Sequence, residues 1–177
     1  MAVRKIRQFG DPVLRQRANE VGTVTDVHRR LIEDMIETMR VAPGVGLAGP
    51  QVGVMERIFV WEVGEEHGAC INPRIVARGS ETVEEEEGCL SMPGLAYPVE
   101  RHHRVTLEAL NENGDPITIE AEDLLARVFQ HESDHLDGVL FIDHVSEADR
   151  KEALSILRDQ ALGLPVPTRR VPNDERL

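Results

Sequence analysis

Between Ala121 and Asp137 the chain carries an apolar stripe at helical spacing, Leu124, Leu125, Val128 and Phe129, with Gly138 just beyond it. A glycine in that place supplies the left-handed residue that ends a helix, so the spacing predicts a helix with a defined stop. The string His131-Glu-Ser-Asp-His135 falls inside the same segment. Residues four apart share a helical face, so both imidazoles can reach one cation. Glu132 leans toward that site, where a carboxylate can handle a proton. A helix that must bury its stripe therefore carries two ligand-type side chains and an acid with it. Taken alone, the string also suits two surface histidines on an amphipathic helix.

Around this element the pattern alternates between helix and strand. Thr25 is a plausible N-cap for a helix bearing Val27, Leu31, Met35, Ile36 and Met39, ending near Arg40 before Pro43-Gly44. Residues 1–24 read as an irregular arm turned by Gly10-Asp11-Pro12. Gly44 to Gly53 holds four glycines in ten residues, a loop whose backbone approaches something closely or takes positive φ. Short strands are expected over Arg57–Val63 and Ala69–Val76, interrupted by Gly64 to Gly68 and by Pro73. Val105–Leu110 and Ile117–Glu120 alternate across Asn111 to Asp115, a hairpin signal. Glu81 to Glu87 reads as a solvated edge or loop in its first half. Ser146 opens a last helix with Ala153, Leu154, Leu157 and Leu162 assigned to one face. Helices and antiparallel strands in separate stretches argue for an α+β fold. Residues 1–162 are read as one domain, and residues 163–177, with their prolines and arginines, as a mobile tail.

A chain of 177 residues with two cysteines has no disulfide framework, and its length suffices for one compact core without one. The net charge of −12 disfavours DNA or RNA as the main partner. No apolar run reaches the ~20 residues of a membrane span, and the basic start lacks the apolar stretch of a signal peptide. The expected location is the cytoplasm.

Two histidines do not complete a catalytic divalent site, which takes three protein ligands and an open position. The nearest later histidine, His144, lies nine residues past His135, and the metzincin continuation is absent at Asp137-Gly138-Val-Leu. The other candidate is Cys89 in Glu87-Gly-Cys-Leu-Ser91, whose thiolate beside two imidazoles suits zinc or iron(II). Cys70, in Ala-Cys-Ile-Asn, reads as inert core.

Three segments, Gly44-Val-Gly-Leu-Ala-Gly-Pro-Gln51, Glu87-Gly-Cys-Leu-Ser91 and Gln130-His-Glu-Ser-Asp-His-Leu-Asp-Gly138, resemble in order and spacing the signatures of the peptide deformylases. Gly10-Asp-Pro-Val-Leu-Arg15 is similar to that family's N-terminal arm, and the resemblance spans about residues 4 to 160. It implies a single compact α+β domain, with antiparallel or mixed β-sheets packed around the HExxH helix and a C-terminal helix. It also implies a metallohydrolase that removes the formyl group from the formyl-methionine of nascent polypeptides. Cys89, His131 and His135 would hold one divalent ion, commonly Fe2+, replaceable by Ni2+, Co2+ or Zn2+. A water at the fourth position would attack the formyl carbon, with Glu132 as general base and then acid. The Gln51 amide and the Leu90 N–H would donate to the oxyanion, and the Gly46 N–H would hold the peptide as an added strand. Glu87 would brace the loop or the helix. Val45, Leu124 and Val128 would line the methionine pocket, by position only.

Some positions depart from the family's pattern. Arg127, one turn before His131, stands where many relatives carry an apolar pocket residue. Its stem is expected to line the pocket while its charge reaches water. Ala96 stands where several members carry a peptide-holding arginine. A zinc peptidase and a metal-stabilised binding protein are the competing readings; retention of Glu132 and Gln51 argues against the second, since ligands alone would hold a metal. Residues 146–177 hold six basic and six acidic residues, so the net charge of −12 belongs to the preceding part of the chain. Any transient ribosome contact is therefore assigned to that neutral extension.

Overall fold

In the computed structural model, residues 2–165 are described. Residues 166–177, which hold most of the segment expected to be mobile, lie outside the described residues. Among the described residues three α-helices, α1 (Asp26–Val41), α2 (Asp123–Leu136) and α3 (Glu147–Ala161), accompany seven strands. The strands are β1 (Gly46–Ala48), β2 (Ile58–Val63), β3 (Glu66–Arg78), β4 (Thr82–Gly88), β5 (Ala96–His102), β6 (Arg104–Leu110) and β7 (Pro116–Glu122). They form a five-stranded sheet in the order β1-β2-β3-β6-β7 and a separate β4-β5 ribbon, antiparallel throughout.

Side chains alternate across a strand, and β2 uses both faces. Ile58 and Val60 pack with Leu31, Met35 and Met39 of α1. Phe59 and Trp61 pack with Val128 and Phe129 of α2, the Trp61 and Phe129 rings meeting edge to face at 5.5 Å. The sheet is thus covered by α1 on one side and α2 on the other, which explains four consecutive buried residues in β2. A third core joins Tyr97 and Val99 of the ribbon, and Leu95 just before it, to Phe141, Ile142 and the inner face of α3.

The helix boundaries follow the sequence signals. The Thr25 N–H donates to His28 Nδ1 at the start of α1, and Ser146 Oγ accepts from the Asp149 N–H at the start of α3. Gly138 ends α2 at φ 75°. Two face assignments are corrected. Val27 is 72% exposed, because at 3.6 residues per turn it falls about 80° from Met35, outside the buried stripe. Leu154 and Leu162 of the last helix are also exposed, while Ala153, Ile156 and Leu157 face inward. Leu162 stands nine residues from Ala153, about half a turn out of phase.

Three segments differ from the expectation in kind. β3 runs through Pro73 because the ladder shifts register between Ile71 and Arg74, a bulge where a missing N–H costs nothing. Asn72 there takes φ 52°. Its side-chain amide bonds the N–H and carbonyl of Val21, tying the arm to the sheet. Gly46–Ala48, expected as loop, pairs with β2 as the edge strand. The acidic run is the strand β4; Glu84, Glu85 and Glu86 are exposed, as expected for a solvated edge, whereas Glu87 is fully buried.

Candidate metal centre

Along α2, one turn brings His131 and His135 into line, with Nε2 atoms 3.2 Å apart. Both are buried, and the His131 ring stacks on Phe141. Cys89 Sγ, just past β4, lies 3.3 Å from His135 Nε2. The three ligand atoms fall within 4.8 Å of one another. Bonds of about 2.0–2.3 Å in tetrahedral directions place ligand atoms about 3.3–3.6 Å apart. The spacing suits one cation, and the donor set, one sulfur and two imidazole nitrogens, fits zinc or iron(II). Among the described residues no other His, Cys, Asp and Glu group of this kind is found.

Behind His131 stands Glu87. Its Oε1 is 2.6 Å from His131 Nδ1, and Arg101 reaches both carboxylate oxygens at 2.7 and 3.0 Å. Burial works against the carboxylate, but His131 and Arg101 outweigh it and hold the acid well below its usual range. The Nδ1···Glu87 contact leaves Nε2 on the side of Cys89 and His135, and a metal there would be bound by the neutral ring with its hydrogen on Nδ1. Arg101 continues to Asp134 Oδ2 at 2.7 Å, which also meets His144 at 2.8 Å. His144, considered above as a ligand, thus belongs to this outer network. Arg101 and Asp134 were not read as site residues from sequence. Arg101 lay in an unrecognised strand, and Asp134 carries no signal beyond its place inside HExxH.

Glu132 is 1% exposed, and its Oε2 has no hydrogen-bond partner among the described residues. Burial pushes this acid up to about 7. A Cβ added at Gly46 would overlap the Glu132 carboxylate, so the glycine at that position lets the edge strand lie against the acid. The Glu62 backbone N–H donates to the Val45 carbonyl at 2.9 Å. The antiparallel alternation therefore turns the Leu47 N–H toward β2 and those of Gly46 and Ala48 toward the free edge. The Ala48 N–H is taken by Gln51 Oε1 at 2.8 Å. Gln51 Nε2 lies 3.2 Å from Ser91 Oγ and 3.5 Å from Cys89 Sγ, and the Leu90 N–H makes no hydrogen bond among the described residues.

The arm holds these loops together. The Arg7 N–H donates to the Gln51 carbonyl at 2.7 Å and the Phe9 N–H to the Ser91 carbonyl at 2.8 Å. The Ala18 N–H donates to the Leu136 carbonyl at 2.8 Å, at the end of α2. Residues 7–18 therefore touch all three sequence motifs, a role that residue types in an irregular segment did not advertise.

Val45, Leu124 and Val128 share one apolar cluster with Trp61 and Phe129. Arg127 does not put its charge into water. It is 3% exposed and donates to Glu87 and to strand carbonyls, because a buried guanidinium needs acceptors that a methionine pocket would not supply. Ala96 is buried in the ribbon.

The fold and site define an α+β domain whose Cys/His/His metal-binding group joins the two histidines of an HExxH helix to a cysteine just past β4. The model of the polypeptide deformylases matches residues 3–151. The chain is 51% identical to a peptide deformylase of Acidothermus cellulolyticus, over 90% of this chain and 88% of that one. It is 50% identical to one of a Thermotoga species, over 82% and 89%. The crystal structure of a peptide deformylase from Legionella pneumophila aligns with a TM-score of 0.86 at 41% identity, covering 94% of this chain and all of that one. That of Ehrlichia chaffeensis in complex with actinonin gives 0.87 at 37% identity, covering 90% and 98%. The chain belongs to the peptide deformylase family.

Proposed function

We propose that this protein hydrolyses the formyl amide of formyl-methionyl nascent peptides, releasing formate. The observation that carries the reading is the buried Glu132 carboxylate set beside the Cys89, His131 and His135 cluster and against the free edge of β1. A divalent ion held by those three side chains would supply Lewis acidity, lowering the pKa of a bound water toward ~7 and polarising the formyl carbonyl.

The chain's own residues supply the rest. Glu132 takes the proton of the attacking water and returns it to the departing methionine nitrogen. The Gln51 Nε2 and the Leu90 N–H face the negative oxygen of the tetrahedral stage, donors of a kind worth ~3 kcal/mol each. Gly46 offers its outward N–H to the peptide, which adds to β1 as a strand. The cluster of Val45, Leu124 and Val128 with Trp61 supplies apolar surface for the methionine side chain.

Fe2+ is the resident metal in this reading, in keeping with a thiolate ligand, and Ni2+, Co2+ or Zn2+ would replace it. The protein works in the cytoplasm, and no helix among the described residues is long and apolar enough to cross a membrane. Ribosome contact is assigned to the end of the chain. Because Ala153, Ile156 and Leu157 of α3 belong to the core, the test removes residues 166–177 and reverses the exposed charges Arg150 and Lys151 of α3, and unchanged co-sedimentation of that variant with ribosomes would reject the contact.

The deciding assay is formate release from formyl-Met-Ala-Ser by Fe(II)- or Ni(II)-loaded protein under reducing, anaerobic conditions, with Glu132→Ala as control. Metal-loaded wild type that releases no formate would sink the proposal.

A further inference from the structure

We infer that Arg127 is a positioning residue for the metal centre, acting through Glu87, and not a wall of the substrate pocket. The inference rests on Cys89, His131 and His135 being the metal ligands.

A carboxylate has about four lone-pair sites, and all four on Glu87 are filled. Oε1 takes Arg101 Nη2 at 2.7 Å and His131 Nδ1 at 2.6 Å. Oε2 takes Arg101 Nε at 3.0 Å and Arg127 Nη1 at 3.0 Å. Arg101 alone leaves one site on Oε2 open, and a rotated carboxylate could offer that site to His131 in place of Oε1. With Arg127 on Oε2, a single orientation satisfies every donor.

The same guanidinium ties three elements together. Nη1 also donates to the Val99 carbonyl of β5 at 2.9 Å, and Nη2 to the Val83 carbonyl of β4 at 3.0 Å. Its Nε lies 3.3 Å from Glu85 Oε2. The metal ligands come from two separate pieces of chain: the histidines from α2, Cys89 from the end of β4. Arg127 sits on α2 one turn before His131 and holds β4 at Val83, Glu85 and Glu87, the stretch that leads directly into Cys89. It therefore bears on the placing of Cys89 against the histidines as well as on the His131 ring. The fork geometry is what permits four acceptors at once; a lysine ammonium at the end of a flexible stem cannot reproduce that planar reach.

Cobalt(II) binding to the metal-free protein separates this role from the alternatives, since its affinity, measured against a competing chelator, and its visible spectrum report the ligand cage directly. Arg127→Leu should weaken cobalt binding on the order of 10–100-fold, the usual cost of losing an outer partner of a ligand histidine. It should also shift the cobalt bands and lower kcat with little change in KM. Arg127→Lys should lose several-fold in affinity, less than the leucine variant.

Wild-type cobalt affinity and spectrum in folded Arg127→Leu would overturn the inference, leaving a structural role only. A raised KM with unchanged cobalt binding would overturn it in favour of a pocket wall. Should the leucine variant fail to fold, wild-type cobalt affinity in Arg127→Lys would overturn it equally. Wild-type protein that binds cobalt but releases no formate would end the deformylase reading and leave the cobalt result standing.

Discussion

The two walls of the metal centre are built differently. On one, His131, Glu132 and His135 occupy five consecutive residues of α2, where helical geometry alone fixes their relative placing. On the other, Gly46, Gln51, Cys89 and Leu90 come from an edge strand and two loops, and their placing depends on contacts from afar. The arm bonds the Gln51 and Ser91 carbonyls. Arg101 and Arg127 anchor the end of β4 through Glu87. A local wall holds its geometry for as long as the helix exists. A wall assembled at long range can be loosened by changes that never touch the reacting atoms.

The largest expected effect is on the helical wall. Glu132→Ala should lower kcat for formyl-Met-Ala-Ser by about 10³-fold, within the range for a positioned acid-base group, while metal content by elemental analysis stays at one per chain. Equal activity of variant and wild type would place the proton transfer elsewhere. Next comes Gln51→Leu, which removes one oxyanion donor and should cost about 10²-fold in kcat, with the fold intact by circular dichroism.

Gly46→Ala joins the two walls. Its new methyl would overlap the Glu132 carboxylate, so kcat should fall by roughly tenfold or more although no ionisable group is removed. A crystal structure of the variant with Glu132 unmoved would contradict that account. Phe9→Pro tests the arm by deleting the N–H that bonds the Ser91 carbonyl. The lost hydrogen bond and the lost packing of the Phe9 ring on the ribbon core together should cost more than about 1 kcal/mol of unfolding free energy in urea, with a several-fold drop in kcat. A stability loss without any kinetic change would show that the arm merely covers the loop. At the bottom of the scale, Val27→Ala should shift stability by no more than about 0.5 kcal/mol, because the side chain is in water.

The starts of α1 and α3, the end of α2 and the catalytic string were legible because their signals are local: Thr25 and Ser146 as caps, Gly138 as a stop, histidines one turn apart. The faces of the helices were less so. Val27 and Leu162 are apolar residues at approximate helical spacing, and only the partner surface decides how wide the buried stripe is. The strand over Ala96–His102 went unread because Pro98 and the charged Glu100 and Arg101 break the usual apolar alternation. They are tolerated in a two-stranded ribbon with only one neighbour.

By itself the sequence determined the HExxH helix, the hairpin of β6 and β7, the candidate ligand Cys89 and the family resemblance, since each is carried by residues close together or by short ordered motifs. Tertiary structure alone decided that Cys89 Sγ meets His135 Nε2 across 46 positions of chain. It also made the glycine-rich segment an edge strand and turned Arg127 inward onto Glu87. Those outcomes depend on which acceptors and apolar surfaces arrive from elsewhere in the fold. A buried charge goes where its partners are, and spacing along the chain does not say where that is.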